Sequence, residues 1–319
     1  MKSKKTKILL GIGVGILGII VGVFSYQIGK SVGEGVLSVE ATEDTLSNSI
    51  LQLKEWEYDL DNFKKQYIPN EVHLTASDGQ EVVGYYYTVD DKLERDTVIL
   101  VHGMGGEAIC MAPWIEMYLN QDINVFAIDR RGTGKVKGGQ LTYGYKESKD
   151  LTVCVDYLKA RMGNHHLILH GQSLGGTVVG VYSATKHAEE HIDAVILEAP
   201  MESLEYMFLM AWREMDGYDQ SIPEDYLVAC GSLYLKIKEG FTFADINLLM
   251  AQKKNKKPTL VIGGTKDELC TPQISKEIYN QVASKNKMYE VMDTDHIEGY
   301  IDMPKAYTKI IKQFISTLE

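Results

Sequence analysis

The sequence predicts an α/β protein: a mostly parallel, eight-stranded sheet with helices on both faces, a helical insert, and one transmembrane helix ahead of it. Short apolar runs alternate with helical stretches, which is typical of a parallel sheet covered on both sides. The composition, 45% hydrophobic and 24% charged over 319 residues, is that of an ordinary globular protein. It excludes a largely disordered chain and a membrane protein with many spans.

The charge distribution argues against a nucleic-acid-binding protein. The net charge is -11, and residues 1–30 carry five Lys but no Asp or Glu, so the remainder of the chain is still more acidic. Nucleic-acid binding needs a basic surface that displaces counterions, and we predict none here. The four cysteines, Cys110, Cys154, Cys230 and Cys270, are too far apart to suggest a structural zinc site, and neither a metal nor a cofactor is expected. Their disulfide state is left open.

The N-terminal segment predicts a membrane anchor. Residues 8–29 contain no charged side chain, and this stretch is long enough to cross the bilayer core as a helix. Four lysines precede it, at positions 2, 4, 5 and 7. They favour a cytoplasmic tail over residues 1–7 and a catalytic domain outside the cytoplasm. The alternative is a signal peptide cleaved near Val23 and Ser25, which would leave a secreted protein.

Four glycines follow one face of this predicted helix: Gly11, Gly15, Gly18 and Gly22. Small residues at this spacing let two membrane helices approach closely, which is compatible with a weak homodimer. Glycine is also common in membrane helices that do not dimerise, so these four glycines need not have a role in association.

The rest of the chain is predicted in order. Residues 30–69 form a polar stem with an amphipathic helix through Leu51, Leu53, Trp56 and Leu60, which packs on the domain. From residue 70 to 319 the predicted strands are Glu71–Ala76, Glu81–Thr88, Thr97–Val101, Ile123–Ile128, His166–Leu169, Ala194–Leu197, Thr259–Ile262 and Met288–Val291. Residues 200–257 show no buried strand and are expected to form a helical cap.

A nucleophile is predicted at the turn after the fifth strand. Gly171-Gln172-Ser173-Leu174-Gly175 matches G-x-S-x-G between an apolar strand and a helical run. That setting strains the serine backbone and exposes its hydroxyl at the start of a helix. The third strand ends at His102-Gly103-Met104-Gly105-Gly106, a turn whose amides can face a cavity. The amides of Met104 and Leu174 are the predicted oxyanion hole.

The base and the acid are assigned by chain order. His296 follows the last predicted strand, and Asp267 follows the strand before it, where a Ser, acid, His order requires them. Glu198 and Glu202 are the rival acids. His102 is expected to support its own loop. The other histidines considered are expected to be solvated: His165, His166, His170, His187 and His191.

Together these motifs resemble the alpha/beta-hydrolase superfamily, over residues 70–319. The resemblance rests on Val101-His102-Gly103, Asp129 to Gly134, Gly171 to Gly175, Gly263 to Asp267 and Asp295-His296. Thr142 to Tyr145, with Glu147 and Asp150-Leu151, further resembles exported bacterial members described as serine aminopeptidase-like or lipase-like hydrolases. Two positions depart from the family pattern: Lys135 stands where Ser is usual, and Gly263-Gly264 stands where His-Gly is frequent.

The resemblance and the motifs imply a serine hydrolase that cleaves an acyl bond through an acyl-enzyme, a carboxylic ester being the first expectation. The expected substrate is a small or lipid-like acyl compound. A thioesterase, a serine peptidase and a membrane-anchored binding protein without catalysis are the alternatives. Large apolar residues from Met201 to Trp212 predict an acyl or aromatic pocket under the cap, unless they all pack as core.

Overall fold

Eight strands form one sheet in a computed structural model of the protein, which describes residues 2–39, 44–136, 138–215 and 221–318, with side chains from residue 18 onward. The strands are β1 Asn70–Thr75, β2 Glu81–Tyr87, β3 Thr97–Val101, β4 Asn124–Asp129, β5 Leu167–Gln172, β6 Ala194–Glu198, β7 Thr259–Gly264 and β8 Lys287–Met292. Their order is β1-β2-β4-β3-β5-β6-β7-β8. β2 pairs antiparallel with β1 and β4, and the other neighbours run parallel. The predicted sheet is confirmed.

The helices of the described residues are α1 Lys2–Ser38, α2 Thr45–Glu55, α3 Leu60–Gln66, α4 Ala112–Leu119, α5 Glu147–Lys159, α6 Leu174–Ser183, α7 Lys186–His191, α8 Leu204–Glu214, α9 Glu224–Glu239, α10 Leu248–Gln252, α11 Pro272–Gln281, α12 Gly299–Asp302 and α13 Pro304–Ile315. They cover both faces of the sheet, as predicted. In β3, Val98 and Leu100 pack towards α2, α3, α4 and α13, whereas Ile99 and Val101 pack towards α5, α6 and α11. Both faces are buried, which explains the continuous apolar runs.

The predicted stem differs from expectation in one respect. Its single amphipathic helix is two helices, because the chain turns at Glu57 with φ 53° and the Asp59 side chain then caps a new helix. Leu53 and Phe63 are also buried in the core on one face of the sheet. These residues therefore pack on the globular domain, as the sequence predicted.

The N-terminal helix continues past the predicted boundary at residue 29. Its last turns pack along α9, where Ser25, Gly29 and Gly33 meet Tyr226, Cys230 and Tyr234 in that order. The shared order shows that the two helices run parallel. A Cβ atom at position 29 would lie 2.4 Å from the Cys230 carbonyl oxygen, so the backbones touch only because glycine is there.

The membrane prediction over residues 8–29 stays a prediction. Within the described part of the chain, no helix has both the length and the hydrophobicity that a membrane crossing requires. The tail, Gly11 and Gly15 lie outside the residues whose surroundings are described. Gly18 and Gly22 have open space around them, and the predicted homodimer is likewise untested.

The insert from 200 to 257 is helical, but only part of it forms a cap. Residues 216–220 lie outside the described ranges. α8 and α9 share a hydrophobic cluster with the end of α1. α10 instead packs against α6, where Gln252 Nε2 donates to the Gly180 carbonyl at 2.9 Å. The cap is therefore shorter than predicted at its C-terminal end, and the N-terminal helix is part of it.

Candidate active site

Ser173 lies between β5 and α6 in a backbone conformation that glycine normally occupies, with φ 52° and ψ -121°. The turn is possible only because its neighbours lack side chains. A Cβ atom at Gly171 would lie 2.2 Å from the Gly175 carbonyl oxygen, and one at Gly175 would lie 2.0 Å from the Val101 carbonyl oxygen. The G-x-S-x-G spacing thus follows from close contact between backbones.

The structure brings the predicted serine, histidine and aspartate together. His296 Nε2 lies 2.9 Å from Ser173 Oγ, and His296 Nδ1 lies 2.7 Å from Asp267 Oδ2. Asp267 follows β7 and His296 follows β8, and these strands are parallel neighbours. Their carboxyl ends therefore meet at one edge of the sheet, next to the turn after β5.

Asp267 is held as a carboxylate by its surroundings. The backbone N–H groups of Leu269 and Cys270 donate to its Oδ1 at 3.0 and 2.7 Å. Burial acts to raise the pKa of Asp267, but the hydrogen bond and charge of His296, together with these two donors, outweigh it and leave the pKa below its ordinary value. A carboxylate on Nδ1 keeps the proton there and leaves Nε2 free to accept one from Ser173.

The rival acid Glu198 has other partners. Its Oε2 accepts hydrogen bonds from Gln172 Nε2 and from the Tyr307 hydroxyl, both at 2.7 Å, beneath the nucleophile turn. His170 Nε2 lies 3.2 Å from the same oxygen. His170 is completely buried, so the prediction that it is solvated was wrong. The apolar run of β5 is short, and nothing in it distinguishes a buried histidine at position 170 from a solvated one.

The two predicted oxyanion residues flank Ser173. Leu174 is the first residue of α6, where N–H groups have no acceptor within the helix. Met104 lines the same cavity as Ser173. The turn before it approaches the nucleophile so closely that a Cβ atom at Gly103 would lie 3.3 Å from Ser173 Cβ.

A buried arginine fixes this turn. Arg130 Nε donates to the His102 carbonyl at 3.1 Å, and Nη2 donates to the Gly103 carbonyl at 2.8 Å. His102 Nδ1 faces the Gly103 carbonyl at 2.8 Å and must carry the proton, while Nε2 accepts from the Arg130 N–H at 3.3 Å. Burial and then the charge of Arg130 hold the pKa of His102 well below its usual value. His102 therefore supports the loop as a neutral ring.

A cavity of about 550 Å³ opens at Ser173, within the usual size range of ligand sites. It is lined mostly by apolar side chains of the cap. The lining residues from α8 and the turn before it are Met201, Leu204, Tyr206, Met207, Phe208, Met210, Ala211 and Trp212. Of the run on which the pocket was predicted, only Leu209 is not among the lining residues.

Sequence reasoning missed the other wall of this cavity. The end of the N-terminal helix contributes Ser31, Val32, Gly35, Val36 and Val39. A usable signal was present, because Ser25, Gly29 and Gly33 are small residues at a helical spacing of four. They indicated that this helix would pack closely against another one.

Known proteins share this arrangement of strands. A family model described as serine aminopeptidase, S33, matches residues 93–218. The solved esterase Pf2001 of Pyrococcus furiosus is similar with a TM-score of 0.62 and 21% identity, over 82% of this chain and 96% of that one. The chain has the alpha/beta-hydrolase fold. The resemblance drawn from the motifs is thereby confirmed at the level of the fold.

Two relatives of this chain extend the comparison. The uncharacterized protein YqkD of Bacillus subtilis is 23% identical over 246 residues, which are 77% of this chain and 78% of the relative. The uncharacterized membrane protein YNL320W of Saccharomyces cerevisiae is 26% identical over 231 residues, which are 72% and 74% of the two chains.

Both departures from the alpha/beta-hydrolase pattern are accommodated by the structure. Lys135 contributes its backbone N–H, which donates to Asp129 Oδ2 at 2.9 Å and does not depend on the side chain. Gly264 lets the end of β7 approach the loop that carries His296, since a Cβ atom there would lie 2.5 Å from the Thr294 carbonyl oxygen.

Within the described residues, two groups of side chains have the spacing of metal ligands: Asp267, Cys270 and His296, and Asp156, His187 and His191. In the first group, both ring nitrogens of His296 already have partners. In the second, the ring nitrogens of His187 lie 2.7 Å from the Tyr182 hydroxyl and 3.0 Å from Asp156 Oδ1. Neither group therefore supports a metal proposal.

Proposed function

We propose that the protein is a serine hydrolase that cleaves carboxylic esters with an apolar acyl group. The observation that carries this proposal is the line of hydrogen bonds from Ser173 through His296 to Asp267, beside a cavity lined mostly by apolar side chains. The name of the esterase Pf2001 agrees with the proposal but does not decide the substrate.

In the proposed mechanism, Ser173 Oγ attacks the ester carbonyl carbon while its proton passes to His296 Nε2. The negative oxygen of the tetrahedral intermediate accepts hydrogen bonds from the amides of Met104 and Leu174. His296 then protonates the departing alcohol, which leaves an acyl-enzyme on Ser173. A water molecule gives a proton to His296 and attacks this acyl group, and the collapse of the second intermediate releases the acid and returns the proton to Ser173.

A fluorophosphonate probe tests whether the site is catalytic. The full-length protein in detergent should be labelled, whereas a folded Ser173→Ala variant should not. Hydrolysis of p-nitrophenyl esters should be lost in the same variant and should rise from acetate to medium chains in the wild type. Absence of labelling in folded wild type would favour the alternative, a binding protein without catalysis.

A serine peptidase is the second candidate, because the matching family model describes a serine aminopeptidase. The cavity argues against a free amino terminus in the acyl site. Among the described residues that line it, Glu214 is the only charged one, and it lies at the exposed end of α8. Hydrolysis of leucine p-nitroanilide in preference to every apolar ester would reverse our choice.

We also propose that residues 8–29 anchor the protein in the cell membrane, with the catalytic domain outside the cytoplasm. The uncharged stretch and the lysines before it support this. Ile19, Ile20 and Phe24 are exposed on α1, which a lipid surface would cover. The protein should stay with membranes in alkaline carbonate, and protease added outside intact cells with a permeable wall should digest the domain. Release by carbonate, or complete protection, would contradict the anchor or its orientation.

A further inference from the structure

We propose that the end of the N-terminal helix, Ser31–Val39, is a specificity-determining wall of the acyl site, and that an aliphatic acyl chain lies between this helix and α8. The proposal rests on the proposed function for the identity of the bond that is cleaved. It adds that the segment next to the predicted anchor selects the substrate by the length of its acyl chain.

The helix presents one continuous face to the cavity. The lining positions within α1 are 31, 32, 35 and 36, which lie on one side of an α-helix, and Val39 follows directly after its end. Gly35 is central to this face, and a Cβ atom built there meets nothing within 4 Å. The absence of a side chain at this position therefore leaves space in the cavity that a ligand can fill.

This wall is attached firmly to the catalytic domain. On its other side, the helix contacts α9 through Gly29 and Gly33. At its end, the Tyr143 hydroxyl donates to the Val36 carbonyl at 2.8 Å, and Tyr143 itself lines the cavity. Val32 and Val36 are buried in the cap cluster. Such a wall can discriminate between ligands, because it does not move away when a longer chain enters.

The chemistry of the two walls indicates the ligand. Facing the valines and glycine of α1 are methionine and aromatic side chains of α8, including Met207, Phe208 and Trp212. This surface offers dispersion contacts along its whole length and few polar partners, which suits a saturated or monounsaturated aliphatic chain. A compact polar acyl group would leave most of this surface without contacts.

The test is a filled cavity with a matched control. Gly35→Leu places an aliphatic side chain in the open space and replaces glycine with a good helix former. Gly22→Leu makes the same change in the same helix, where the surroundings are also open but outside the cavity. For the full-length protein, we expect Gly35→Leu to lower kcat/KM for p-nitrophenyl decanoate by about tenfold or more relative to butyrate. Gly22→Leu should leave that ratio unchanged.

A second measurement does not need turnover. A p-nitrophenyl ester whose long acyl chain carries a diazirine is photolysed with the Ser173→Ala protein, and the adducts are mapped by mass spectrometry. We expect adducts within residues 31–39 and on α8. Their absence from residues 31–39, or an unchanged decanoate-to-butyrate ratio in Gly35→Leu, would overturn the proposal. If fluorophosphonate does not label Ser173 but the adducts form as expected, the proposed catalysis is contradicted. The proposal that residues 31–39 bind the acyl chain is then still supported.

Discussion

The backbone of Ser173 is strained, and the structure shows what compensates for it. A non-glycine residue at φ 52°, ψ -121° costs about 1–3 kcal/mol. The Ser173 N–H donates to the Glu198 carbonyl at 2.9 Å, and its carbonyl accepts from the Thr177 N–H at 3.1 Å. The buried Glu198 side chain holds Gln172 next to it. Glu198 therefore contributes to the geometry of the nucleophile without touching His296.

Asp267 contacts His296 and Glu198 does not, so substitution of the two acids should have different effects on catalysis. Asp267→Asn should lower kcat by about a thousandfold or more, because the histidine loses the partner that sets its tautomer. Glu198→Gln and Glu202→Gln are the matched controls, since they make the same change at the rival acids. Steady-state kinetics with a medium-chain ester measures all three. A nearly normal Asp267→Asn enzyme beside an inactive Glu198→Gln or Glu202→Gln enzyme would move the acid to the other position.

His102 gives the second residue-scale prediction, which concerns pH. Its folded-state pKa is lowered, so below an unfolded pKa of about 6.5 the unfolded chain binds a proton that the folded chain does not. Stability is lost as the pH falls, at about 1.4 kcal/mol per pH unit for this one group. His102→Asn removes the titration and keeps a donor for the Gly103 carbonyl.

The slope of the unfolding free energy, measured by urea denaturation between about pH 6 and pH 4.5, should therefore be smaller in His102→Asn than in wild type. The slope is informative even though the variant is less stable overall. Equal slopes would mean that His102 is protonated in the folded protein.

At the scale of elements, the contact between α1 and α9 decides the shape of the cap. Gly29 and Gly33 allow the two helices to touch, and Gly231 of α9 meets Val32 in the same way, with a Cβ atom there only 2.5 Å from Val32 Cγ1. The glycines predicted to matter were an earlier series on the same helix. The contact within the chain continues the same face of the helix, further towards its C-terminal end.

The prediction that follows concerns Gly29. Gly29→Val should push α1 away from α9, because the new side chain would collide with the Cys230 carbonyl, a backbone atom that cannot rotate aside. We expect a loss of stability of about 1–3 kcal/mol and faster cleavage between α1 and α2 in limited proteolysis. Gly22→Val is the control, since that position is open. Equal effects of the two substitutions would show that the observed contact does not hold the cap.

At the scale of the whole molecule, the fold shields the cysteine thiols from reagents in solution. All four are unpaired and buried. Burial raises the pKa of Cys110 to about 12 and raises the pKa of Cys154 and Cys270 as well. A thiol reacts as its thiolate, so these three are unreactive at neutral pH in the folded state.

Ellman's reagent should therefore detect none of the four thiols in the native protein at about pH 8 and all of them after denaturation. The same experiment decides the disulfide state that the spacing of the cysteines left open. Fewer than four thiols after denaturation without a reductant would indicate a disulfide and contradict the structure.

The sheet was predictable because each of its strands is marked by residues that are adjacent in the sequence. Each strand is a short apolar run, and the alternation of strands with helices restricts a parallel sheet to few arrangements. The proximity of Ser173, Asp267 and His296 was predictable for the same reason, since each follows its own strand and parallel strands end at one edge. The glycines of the G-x-S-x-G motif also predict the tight turn directly, because they flank the serine in the sequence.

The tertiary structure alone decided which elements enclose the cavity. Nothing local to Val36 or Gly35 indicates that they line the same cavity as Met207 and Phe208, because this arrangement depends on the packing of the N-terminal helix against α9. The burial of His170 and the commitment of Glu198 to Gln172 and Tyr307 depend on the same kind of long-range packing. An amino-acid sequence encodes the period and the ends of its elements directly, whereas the side chains that line a site come from elements distant in the chain, and only their packing brings them together.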